Sequence, residues 1–148
     1  MELYAQMLRF CLYRERSLHE VQIKLAALGA EGDEAEAMLA QLQAEHFVDE
    51  TRFANEYVHS KYSLKKWGRR KIRYGLQQHH VSEALIYEAL AQIDEERYEA
   101  TILRLLERKY NPATLRGDIN RRASAQRYLL QKGYEPELIA RIMRSFIK

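Results

Sequence analysis

One cysteine is all that the 148 residues contain. Cys11 therefore has no internal disulfide partner, and its setting in "MLRFCLY" predicts a small buried hydrophobe in a reducing compartment, not a reactive thiolate. Proline is almost missing, with only Pro112 and Pro136, and six glycines complete a short supply of chain breakers. No apolar run reaches the roughly 18 residues of a membrane-spanning helix. The opening "MELYAQMLRF" lacks the basic-then-apolar order of a secretory signal. These absences predict a cytoplasmic protein without membrane contact.

Chemistry is scarce as well. His19, His46, His59, His79 and His80 stand in no metal-ligand spacing, and adjacent His79 and His80 cannot face one ion from a helix. There is no glycine-rich phosphate loop and no nucleophile elbow. The reading is that the protein is not an enzyme and takes no metal and no cofactor.

What remains is helix-forming sequence. Ala, Leu, Glu, Arg, Lys and Gln dominate, apolar residues make up 47% and charged ones 30%, and no segment alternates with a period of two. The expected fold class is all-α. "SLHE" (17–20) has the form of a capping box, and "DEAE" (33–36) of its aspartate version. Asp49, Ser63 and Ser82 are further N-cap candidates, and Asn111-Pro112 and Glu135-Pro136 each place a proline where a helix opens. About nine helices follow, at roughly 2–14, 18–28, 33–44, 50–62, 64–78, 82–92, 94–109, 113–131 and 136–147.

The chain also resembles itself. "KLAALGA" (24–30), "GLQQHHV" (75–81) and "YLLQKGY" (128–134) align so that Leu25, Leu76 and Leu129 superpose, as do Gly29, His80 and Gly133. Three tandem three-helix repeats are expected within one domain, at about 1–48, 49–93 and 94–148. Units of this size bury too little surface alone, so stacking supplies the core. An elongated, curved bundle with a concave binding side follows. Such repeats fold without a partner, which predicts a monomer. Leu25, Phe53, Trp67, Ile72, Leu76 and Leu129 are the expected core anchors.

Net charge of +3 conceals a division. Residues 1–56 carry −6, residues 57–82 carry +7 with no acid at all, residues 83–115 carry −3, and residues 116–148 carry +5. The middle segment, "KYSLKKWGRRKIRYGL" (61–76), holds Lys61, Lys65, Lys66, Arg69, Arg70, Lys71 and Arg73 around the single tryptophan. On one continuous helix Lys65, Lys66, Arg69, Arg70 and Arg73 would share an arc of roughly 140° opposite Trp67, Ile72 and Leu76. Like charges without acids four residues away repel unless a partner neutralises them, so a polyanion is the expected ligand. The eight later cations, among them Lys132 and Arg144, gather on no single helix face, and the sequence assigns them no role.

"FVDETRFANEYVHSK" (47–61) resembles the acidic-Arg-Phe-Ala signature of the RecX regulatory proteins. "YRERSLHEVQIKLAALG" (13–29) is similar to the first repeat of that family, and "KKWGRRKIRYGLQQHHVSEALIYEAL" (65–90) to the second, in the version of the Bacteroidetes-type branch. The resemblance implies a modulator of RecA that lies in the groove of the RecA filament on single-stranded DNA. It would inhibit strand exchange and ATP hydrolysis, as part of DNA repair, recombination and the SOS response. It also implies that the seven cations of residues 61–73 contact DNA, single-stranded and also double-stranded, or the filament, and that there are no catalytic residues. The acidic first repeat would then touch protein. His80, at a position where the family carries glycine, brings the left-handed helix end there into question. The alternative reading is a helical module that binds DNA itself, without RecA.

Overall fold

The computed structural model describes residues 2–148, and among these there are ten α-helices and no strand. They are α1 (Leu3–Tyr13), α2 (Leu18–Ala27), α3 (Gly32–Ala44), α4 (Glu50–Ser63), α5 (Arg69–Gln78), α6 (Glu83–Leu90), α7 (Glu95–Lys109), α8 (Pro112–Arg116), α9 (Ile119–Gln131) and α10 (Pro136–Ile147).

Most helix starts follow from short polar side chains. Ser17 closes a full capping box with Glu20, and Asp94, Asn111 and Asp118 each accept from first-turn amides. Asp49 accepts from the Arg52 amide at 3.0 Å and Ser82 from that of Leu85 at 3.4 Å. Three expectations fail. α3 begins one residue early at Gly32, so Asp33 lies inside its first turn and does not cap it. Ser63 ends α4 instead of opening a helix. The single helix expected over 113–131 is two, because Gly117 terminates α8 and Asp118 caps α9.

The three aligned turns have the same geometry. Gly29, His80 and Gly133 all take positive φ, at 88°, 59° and 99°. In each, the following amide returns to the aligned leucine: Ala30 to Leu25 at 2.9 Å, Val81 to Leu76 at 3.1 Å, Tyr134 to Leu129 at 3.2 Å. These are Schellman ends, which satisfy carbonyls the helix leaves unpaired. Histidine at position 80 does not prevent the left-handed turn, and its ring stacks on His19 with centroids 3.7 Å apart.

By contacts the chain divides into two compact units. The first comprises the residues up to Val58 together with Gly75–Ala89, and one of its cores joins Met7, Cys11, Val21, Leu25, Leu42 and Val48. Burial pushes the Cys11 thiol pKa up, which keeps it protonated. The second comprises His59–Tyr74 and Leu90–Lys148, around Tyr98, Ile102, Leu106, Leu115, Leu129 and Tyr134. Of the anchors expected from sequence, Leu25, Phe53, Ile72, Leu76 and Leu129 are buried.

Candidate nucleic-acid interface

Residues 61–73, with all seven cations, belong to the second unit and lie across the end of α4, the link after it and the start of α5. Lys61 is on the last turn of α4, Lys65 and Lys66 are in the link, and Arg69, Arg70, Lys71 and Arg73 are on α5. The continuous helix expected from residue 64 is therefore corrected to a start at Arg69, and the five-cation arc does not form. The break has a local cause. Lys66 adopts φ 58°, a left-handed conformation that no helix continues, while its amide and that of Trp67 close α4 on Tyr62 and Lys61.

The link is fastened to the turn after α9. Gly68 N–H donates to Lys132 O at 2.7 Å and Arg70 N–H to Gly133 O at 2.9 Å. Tyr134 Oη donates to Lys66 O at 2.6 Å, and Lys132 Nζ to Lys65 O at 3.0 Å. Both glycines are required by this approach. A Cβ on Gly68 would stand 2.4 Å from the carbonyl carbon of Gly133, and one on Gly133 would stand 2.4 Å from Lys71 Cβ.

Arg69 is not displayed for a ligand. Its guanidinium lies 3.9 Å from the Tyr98 ring centroid and within 3.0 Å of both Glu95 and Glu135. The Nε approach to Glu135 is too oblique for a hydrogen bond and is an ion pair only. Burial acts to lower the Arg69 pKa, but the Tyr98 and Glu135 contacts outweigh it and raise the value. Glu135 stands at the N-cap position of α10 without a side-chain cap bond; its carboxylate accepts from Tyr98 and pairs with Arg69.

Trp67 is corrected as well: it is half-buried and not a buried anchor, because it sits in the link and not on the buried face of α5. Lys61 Nζ is 4.9 Å and Lys71 Nζ 4.4 Å from its ring centroid, within cation–π range. Lys65, Arg70 and Lys71 are exposed, and among the described residues no carboxylate pairs with them or with Lys66. Arg73 is half-buried on α5.

Two further cations join this group that sequence reasoning did not assign to it. Lys132 has its pKa lowered, first by burial and then by Lys71, Lys109 and Lys66 nearby. Lys109 lies over the Tyr128 ring at 4.0 Å. The one signal in the sequence was that Lys132 precedes the aligned Gly133. Lys65, Lys66, Lys71, Lys109 and Lys132, none paired with a carboxylate among the described residues, thus gather on a glycine-packed scaffold suited to an anion with several charges.

Residues 49–90 match the family described as RecX, second three-helix domain, and residues 95–143 match RecX, third three-helix domain. A regulatory protein RecX of Herminiimonas arsenicoxydans is 32% identical over 97% of this chain and 91% of its own length. The chain belongs to the RecX family. A regulatory protein RecX of Clostridium botulinum is 33% identical over 86% of this chain, which spans only 60% of that relative. The crystal structure of RecX from Lactobacillus salivarius shares the fold, with a TM-score of 0.85, 20% identity, and coverage of 97% of this chain and 93% of that one. The RecX fold is thus all-helical here, as the sequence pattern predicts.

Proposed function

We propose that this RecX-family chain is a regulatory protein that acts on RecA by binding, not catalysis. It engages the RecA filament on single-stranded DNA and restrains strand exchange and ATP hydrolysis. Membership of the family supports the regulatory role. The observation that carries the ligand assignment is the cluster of Lys65, Lys66, Arg70 and Lys71, cations with no acidic partner on a fixed backbone. Lys61, beside Trp67, and Arg73 flank it, while Arg69 is assigned to the scaffold. Three tandem repeats, at about 1–48, 49–93 and 94–148, organise the chain in this reading.

Four phosphates neutralised on a single strand correspond to a salt slope of roughly −2.8 in log affinity against log salt. Reversing Arg70 and Lys71 to glutamate should weaken binding on every sequence alike, since phosphate contacts carry no base information.

The deciding experiment is RecA's hydrolysis of ATP on single-stranded DNA, with this protein titrated well below one copy per RecA. Inhibition in that range, lost in the Arg70→Glu, Lys71→Glu double variant, is the expected result. Salt-sensitive DNA binding without any effect on RecA at substoichiometric protein would instead favour a module that acts on DNA alone.

A further inference from the structure

The third repeat carries a second surface, distinct from the lysine cluster. α9 and α10 pack against each other and against α8 within the second unit, and an open groove of about 790 Å³ runs between them. Its floor comes from stripes at helical spacing on both elements: Ile119 and Ala123 on α9, and Ala140, Met143 and Ile147 on α10. Ile119 is 71% exposed at one end of this floor, so the apolar stripe it begins is continuous with the surface. The alanines keep the floor low enough to admit a third helix, since ridges spaced three and four residues apart are what helix-on-helix packing uses.

Every charged residue of the rim is cationic, and Gln126 is its one neutral polar residue. Arg116, Arg122, Arg144 and Lys148 line the groove, and no Asp or Glu does. Arg116 Nη1 donates to Ile147 O at 2.8 Å and Lys148 O at 3.4 Å, and Arg122 Nη1 to Leu115 O at 2.8 Å and Arg116 O at 3.0 Å, so main-chain oxygens hold both guanidiniums in place. Among the described residues, none of the four pairs with an acidic side chain. The nearby Asp118 is engaged with the α9 amides and Arg121. An apolar floor does not suit a phosphate backbone, whose contacts are to cations and polar groups. It suits the apolar stripe of an amphipathic helix.

We infer that the α9–α10 groove docks an acidic amphipathic helix of another protein, its apolar stripe on Ile119, Ala140 and Met143 and its carboxylates on the arginine rim. This surface is independent of the lysine cluster.

The test uses the full chain and a fluorescent synthetic helix of about 18 residues, five turns long, with leucine at i, i+3, i+4 and i+7 and glutamate elsewhere. The expected result is saturable binding, with amide shifts of the protein confined to α9 and α10. Arg144→Glu, an exposed change on which no described contact of the fold depends, should weaken it about tenfold. Ala140→Leu, which raises the floor, should weaken it as well, while Arg70→Glu leaves it unchanged. A counterpart peptide with lysine for every glutamate should not bind. Failure of the acidic peptide to bind, equal binding of the lysine peptide, or indifference to both groove variants would overturn the inference. So would shifts at Ile119 and Met143 on adding an oligonucleotide, or self-association abolished by Arg144→Glu, which would give the groove to nucleic acid or to a second copy.

Discussion

Two adjacent arginines, Arg69 and Arg70, have the same neighbours in sequence and opposite situations in the fold. Arg69 is stacked on Tyr98 and paired with two carboxylates, whereas Arg70 is exposed with none. Arg69→Ala should therefore lower unfolding stability by about 1–2 kcal/mol in urea titration, from lost ion pairs and ring contact. Arg70→Ala should stay within about 0.5 kcal/mol of the parent and show its effect in single-strand affinity, read by fluorescence anisotropy. Sequence reading could not separate the two, because Glu95 stands 26 residues from Arg69 and Glu135 further still. Gly68 presents a similar case. Nothing in "WGRR" announces a contact with Gly133, yet a methyl group there would meet backbone atoms that cannot swing aside. Gly68→Ala is expected to cost about 1–3 kcal/mol by overpacking, seen as a lower thermal midpoint, and to loosen the lysines on either side.

Among elements, what was legible was local. Capping at Ser17 and Asp49, the proline at the start of α8, and the glycine ends at 29 and 133 all depend on neighbours within a few residues. The late start of α5 was not legible, because Lys66 and Trp67 are adequate helix residues and the link is drawn out of helix by its bonds to the α9 turn. That turn also sets a pH dependence. Burial and the cations Lys71, Lys109 and Lys66 hold the Lys132 pKa below the ordinary 10.5. The folded state therefore bears a cost of desolvation, and then of repulsion, when Lys132 is charged, and that cost fades as pH rises through the lowered value toward 10.5. A phosphate in the cluster favours the charged form. Single-strand affinity should fall across this alkaline window as Lys132 loses its proton, and titration calorimetry in buffers of different ionisation heat should register proton uptake on binding. Lys132→Met should flatten that fall.

For the whole molecule, the charge division along the chain was visible at once, and it marked residues 57–82 as the basic segment. It did not reveal that acids of the third repeat neutralise one member, or that Lys109 and Lys132 enlarge the group. Linear charge counts see excess, while pairing is a property of the folded surface. A shortened chain ending at residue 93, between the two matched family segments, tests this. It retains all seven cations of the basic segment but loses Glu95, Tyr98, Lys132, Gly133, Tyr134 and Glu135, the third-repeat groups that fasten the link. Proteolysis should cut the shortened chain between residues 64 and 70 at protease levels that leave the full chain intact, and its DNA binding should persist as loose, salt-labile adhesion. The boundary between the second and third repeats is thus no place to trim the gene: one repeat encodes the charge, and the next encodes the shape in which that charge is held.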